Sequence, residues 1–301
     1  MVQISLSTMW AKDRFANLAE FVAKARQLGF THVEANATVS PQGLEELLQT
    51  GFPISSIHSP CPAVSSSRGI PTANLSLSSL DRSEQEEAID HAAKTIDLAS
   101  KVGANAVVLH MGELPIALRL EHELRQLYRQ NLAKTTTYSE LREQLSHQRA
   151  CEAPPYLEQA KKSLQRLSEY AEHRAVLLGL ETRVHFSEIP SIKEMSELLG
   201  ETRRESVGYW HDVGHAEMQQ RLGFVPHEAW FSQFECEMIG VHLHDVLGIS
   251  DHRPPGKGDV NWEMIVKNLP PQAIRVCEIA EWNEESDIQG VVSFLKKTGI
   301  L

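Results

Sequence analysis

Along the chain, short runs of apolar and β-branched residues alternate with longer stretches whose apolar positions recur every three or four residues, the rhythm of repeated strand, crossover and helix. The short runs predict strands over Gln3–Ser7, His32–Asn36, Ile54–His58, Ala106–His110, Val176–Glu181, Gly208–Asp212, Gly240–Asp245 and Arg275–Ile279. The longer stretches predict helices over Phe15–Leu28, Glu84–Val102, Pro155–His173 and Ile288–Thr298. The first two stop at Gly29 and Gly103, where glycine can take the left-handed conformation that ends a helix. Eight strands, each followed by a crossover, predict an α/β chain folded as a single (β/α)8 TIM-barrel domain over 1–301. No glycine-rich phosphate fingerprint follows the first strand to favour a doubly wound sheet. One segment exceeds the rhythm. Residues 113–154, after the fourth strand, carry two more helical patterns, Ala117–Leu132 and Tyr138–Arg149, parted by Thr135–Thr137. This helical insertion is expected to cover the site, to make an oligomer contact or to stand solvated without a chemical role.

Composition narrows the class. Of 301 residues 42% are hydrophobic and 23% charged, the balance of a globular chain with a sizeable core. The lack of a long uninterrupted apolar stretch, and of a basic flank with an apolar core at the N-terminus, predicts a cytoplasmic protein without a membrane partner. The four cysteines, Cys61, Cys151, Cys236 and Cys277, form no Cys-x-x-Cys pair, which argues against a disulfide scaffold and a zinc knuckle. A formal net charge of −11 disfavours nucleic acid as a partner, because duplex binding draws on clustered Lys and Arg.

The chemistry is concentrated at strand ends. Apolar runs stop on His58, His110, Glu181, Asp212, His242 with His244 and Asp245, and Glu278, and in a parallel barrel the strand C-termini build the active site. Glu181 and Glu278 would both point into the mouth, where two carboxylates need cations or protons to offset their repulsion. His215 follows Asp212 by about one helical turn, a spacing that lets both face one cavity. His242 and His244 share one face of their strand, with Leu243 on the other. Carboxylate with imidazole suits zinc, manganese, iron or cobalt. A single such residue could equally be a hydrogen-bonded structural group, Asp245 a helix cap, and His185 and His211 packing or surface residues; it is the recurrence that points to a metal. The segment from Arg253 to Asp259, with two prolines and two glycines, predicts a rigid turn over the mouth.

On the motifs Ile-His58-Ser-Pro, Leu-His110-Met-Gly, Gly-Leu-Glu181-Thr, Asp212-Val-Gly-His215, Val-His242-Leu-His244-Asp245, Asp251-His252 through Trp262, and Cys-Glu278-Ile, the chain resembles the xylose-isomerase-like barrels. These include sugar isomerases and epimerases, inosose dehydratases and type IV apurinic endonucleases. The resemblance to the epimerases implies one divalent ion (zinc, manganese or cobalt) on Glu181, Asp212, His242 and Glu278, with His215, Arg253 and Lys257 near a sugar or sugar-phosphate substrate. Glu181 and Glu278 would then be acid and base in proton transfer through an enediolate. The resemblance to the endonucleases implies up to three zinc ions per chain, with further ligands among His58, His110, His215 and His252, in a multinuclear phosphoesterase. The chain departs from that branch at Ser250, at Thr182 and Arg183, and at Val213 and Gly214, which argues against DNA repair. A third reading is a metal-binding barrel without catalysis. Barrels of this family commonly pair, so a homodimer is expected; ring size, phosphorylation and stereochemistry of a substrate would depend on Trp10, Trp262 and the insertion.

Overall fold

The structure is a computed structural model that describes residues 3–115 and 118–301. Eight parallel strands close into a barrel: β1 (Ser5–Ser7), β2 (His32–Ala35), β3 (Ile54–His58), β4 (Ala106–Leu109), β5 (Leu177–Glu181), β6 (Val207–Asp212), β7 (Met238–Leu243) and β8 (Ile274–Cys277). Each pairs with its neighbours in sequence and β8 closes on β1, Ser5 standing against Val276. This is the (β/α)8 architecture that the alternating pattern predicts, with strand ends shifted by at most two residues and Ile54–His58 matched at both ends.

Two apolar layers hold it. The larger lies between the sheet and its helices; the smaller fills the lumen with Ala106, Val108, Trp210 and Val276. Trp210 is completely buried, and room for it comes from glycines on both flanking strands. A Cβ at Gly240 would lie 2.2 Å from the indole, and one at Gly179 2.7 Å. The ring of Trp210 lies 5.2 Å from that of His242 and so floors the site above it.

The helices start where local chemistry lets them. Asn17 caps α1 (Leu18–Gln27), Ser40 caps α2 (Pro41–Gln49) and Asp81 caps α3 (Arg82–Val102), which ends on Gly103 at φ 74°. After β4 come α4 (Leu118–Arg129) and α5 (Thr136–Glu172). Ala117, where the pattern starts the first of these, lies outside the described residues. The separate helices expected over Tyr138–Arg149 and Pro155–His173 are one, α5, which runs through Pro154 and Pro155. Two missing N–H donors cost less here than the continuous buried face of Leu145, Ala153, Leu157, Ala160 and Leu164 gains. The last predicted helix is α11 (Val291–Thr298), which starts three residues later than expected, after a separate short helix, α10 (Glu285–Ile288).

Between α5 and α10 lie α6 (Ile192–Gly200), α7 (Val213–Arg221), α8 (His227–Phe234) and α9 (Trp262–Asn268). Two antiparallel strand pairs stand over the mouth, Gly112–Glu113 with Glu188–Ile189, and Asp245–Leu247 with Ser250–Arg253. Among the described residues, no helix is long and apolar enough to cross a membrane.

Candidate metal centre

Glu181 ends β5, Asp212 ends β6, His242 is the penultimate residue of β7 and Glu278 follows β8, so four neighbouring strand ends deliver one group. One ligand atom from each lies within 4.8 Å of the others, and all four side chains are buried. His242 Nδ1 is 2.7 Å from Glu181 Oε1, 3.2 Å from Glu278 Oε2 and 3.4 Å from Asp212 Oδ2. Three carboxylates around one imidazole, sealed from water, demand a compensating charge. Burial would lower the His242 pKa, but Glu278, Glu34, Asp212 and Glu181 together push it well above its ordinary value. Burial would likewise raise Asp212, yet His215, His244 and His242 hold it well below the usual carboxylate range. Glu278 is held at about 2, against the cost of burial, chiefly by His242 and His252.

These residues suit a divalent ion. Asp212 Oδ2 is buried and has no hydrogen-bond partner among the described residues, as expected of an oxygen whose natural partner is a cation. Oxygen and imidazole donors without sulfur match manganese, cobalt or zinc. Neighbouring groups orient these side chains. Glu34 Oε2, on β2, accepts from His242 Nε2 at 3.2 Å and from Ser56 Oγ at 2.7 Å. His242 donating to Glu34 leaves Nδ1 to face the carboxylates, the arrangement in which a carboxylate fixes a metal-binding histidine. His244 donates Nε2–H to Asp212 Oδ1 at 2.9 Å, and its Nδ1 accepts the backbone N–H of His252.

Two further donor groups flank the first. His58, His110 and Glu181 present ligand atoms within 4.8 Å of one another, as do His215, His244 and His252. His110 Nε2 is 2.6 Å from Glu181 Oε2. In the second group both ring nitrogens of His244 are already used. His215 donates Nδ1–H to the Thr182 carbonyl at 2.9 Å, and among the described residues its Nε2 has no hydrogen-bond partner. His252 is held in the left-handed region at φ 51°, its carbonyl accepting from Ala280 N–H and Asn283 Nδ2. A non-glycine residue there costs roughly 1–3 kcal/mol, and such strain is concentrated at functional sites.

The remaining expected residues are placed as follows. Arg253 is half-buried with its guanidinium 5.1 Å from the Trp282 ring and, among the described residues, has no carboxylate partner. Lys257 stands on the rim, half-exposed, 3.3 Å from Asp287. Asp245 is not a helix cap: its carboxylate accepts from Val246, Gly256 and Val260 N–H and from Trp262 Nε1, and so ties down the turn over the mouth. Trp10 is also buried, its Nε1 donating to the Asn283 carbonyl. His211 faces away from the cluster, between Tyr209 and His227, and His185 pairs with Glu121.

Sequence reasoning missed Glu34, and met Arg183 only as a departure from the endonuclease motif, without its contact to Glu181. The signal for Glu34 is its parity: with period two, His32, Glu34 and Asn36 share the inward face of β2. Arg183 lies two residues beyond Glu181, and its Nη1 donates to Glu181 Oε2 at 2.7 Å. Beside His110 and Arg183 opens a cavity of about 400 Å³ lined also by Asn74, Ser76, Gly112 and Glu188.

The sequence profile of the xylose isomerase-like TIM barrel family matches residues 22–298. No curated protein shows significant sequence similarity to the chain. Among solved structures, a D-tagatose 3-epimerase-like protein superposes with a TM-score of 0.69 at 16% identity, over 99% of this chain and 97% of that one. An L-ribulose 3-epimerase gives 0.69 at 14% identity, over 100% and 95%. The 3-keto-D-glucoside 4-epimerase of E. coli gives 0.68 at 12% identity, over the whole of both chains. At these identities the likeness is one of fold.

Proposed function

The chain belongs to the xylose isomerase-like TIM barrel family, and on that premise we propose that it is a divalent-metal-dependent isomerase or epimerase of a sugar or sugar phosphate. The observation that carries this reading is the buried Glu181, Asp212, His242 and Glu278 group, with Asp212 Oδ2 lacking a hydrogen-bond partner among the described residues. The epimerases that share the fold are its second support.

A divalent ion bound there supplies Lewis-acid polarisation of a carbonyl and its neighbouring hydroxyl. The protein's own part is proton transfer. Among the described residues Glu278 Oε1 is held only by Asn36 Nδ2, at 3.3 Å, so it is the carboxylate oxygen free to take a proton from carbon. Glu181 is held at Oε2 by His110 and Arg183, while its Oε1 faces His242 Nδ1 in the group that would hold the ion. It is the rigid partner on the other side of the carbon, its charge offset by the donors around it. His215 Nε2 and the guanidinium of Arg253 are available to substrate oxygens.

The test is solvent-proton exchange. Metal-loaded protein in D2O, offered a panel of ketopentoses, ketohexoses and their phosphates, is expected to place deuterium on the carbon beside a carbonyl, and Glu278→Gln to abolish this with the fold intact. No exchange on any member, or a fully active Glu278→Gln, refutes the reading. The flanking donor groups favour a second reading, a multinuclear phosphoesterase. Zinc-loaded protein inert towards generic phosphodiesters and an abasic-site duplex would dismiss it.

A further inference from the structure

Glu181 belongs to two of the donor groups, and its two oxygens face different ones. Oε1 serves the group with His242; Oε2 lies 2.6 Å from His110 Nε2 and 3.6 Å from His58 Nε2. A cation among His58, His110 and Glu181 would need Oε2. That oxygen also accepts from Arg183 Nη1 at 2.7 Å.

We propose that Arg183 sets the number of ions this barrel holds: its guanidinium takes the outer side of Glu181 in place of a second metal and confines the divalent cation to Glu181, Asp212, His242 and Glu278. The inference rests on the metal-centre reading above. A guanidinium is charged at every relevant pH and cannot yield its place by losing a proton. Like charges about 5 Å apart, at an effective dielectric near 20, oppose binding of the second cation by on the order of 100-fold, an effect that the Glu188 carboxylate offsets in part.

Nor can Arg183 readily move aside. It is buried, its Nη2 pairs with the Glu188 carboxylate, and its carbonyl accepts from Gln219 Nε2 at 2.7 Å. The loop that follows is clamped from α4 and α5. Arg125 donates to the Val184 carbonyl at 2.8 Å, Glu121 accepts from His185 Nδ1 and Ser187 N–H, and Arg149 donates to the carbonyls of Phe186 and Glu188 at 2.6 and 2.8 Å. These three charged residues are themselves buried. The segment after β4 thereby acquires a role: it braces the loop that holds Arg183 against Glu181.

The experiment counts ions. The full chain is stripped with chelator, dialysed against excess zinc or manganese and analysed for bound metal by elemental mass spectrometry, with cobalt absorption as a second readout. In the wild-type background His110→Gln is expected to leave the count unchanged. Arg183→Met, and Arg183→Gln as the variant that keeps a hydrogen bond without charge, are expected to gain about one ion per chain, lost again when His110→Gln is added. Arg183→Lys retains the charge and keeps the wild-type count. A wild-type chain that loses an ion on His110→Gln, or a neutral Arg183 variant that gains none, overturns the inference alone. A wild-type chain that binds no metal overturns the metal-centre reading together with it.

Discussion

Glu34 shows how the behaviour of His242 is decided by a residue behind it. Its carboxylate holds His242 by Nε2, so Glu34→Gln is expected to weaken metal binding by roughly 10–100-fold with the fold retained, measured by calorimetric titration. An unchanged affinity would show that His242 needs no such partner. Glu188 gives a residue-scale pH effect. Burial would raise its pKa, but Arg183 and nearby histidines lower it from 4.5 to about 2. Because the folded value lies below the unfolded one, the stabilisation is complete above pH ~4.5 and is lost as the pH falls towards ~2. The loss is on the order of 3 kcal/mol. Denaturant melts between pH 5 and 2.5 should show this acid limb, and Glu188→Gln should flatten it. At this scale the gathering of Glu181, Asp212, His242 and Glu278 was legible because each ends an apolar run. Glu34 and Arg183 were not, because one sits inside its strand pattern and the other in the loop beyond it, and only the closed barrel brings them to the cluster.

At the scale of elements, the strands were legible because burial on both faces leaves apolar runs of the right length between turn residues. The continuity of α5 was not. Pro154 and Pro155 mark a helix end locally, and the packing that overrides them lies on α3, β5 and α6, distant in sequence. The same helix carries a specific liability. Arg149 binds Glu194 bidentately at 2.7 Å and caps two carbonyls of the loop 184–188. Arg149→Met leaves Glu194 buried without its partner and is expected to cost about 3–5 kcal/mol in chemical denaturation. A change below about 1 kcal/mol would show that water replaces the guanidinium.

For the molecule as a whole, the barrel gathers buried carboxylates at one end of a chain whose net charge is already −11. Filling that end with a cation should tie the strands together. A ligand bound to the folded state at 100 times its dissociation constant adds about 2.7 kcal/mol, so chelation is expected to lower the melting temperature by roughly 4–8 °C, and metal to restore it. The most direct measurement is anomalous diffraction from crystals grown with manganese and, separately, with zinc. A single strong peak is expected within bonding distance of Glu181, Asp212, His242 and Glu278. An ion bound only by His58 and His110 or by His215 and His252, or none at all, would contradict the account.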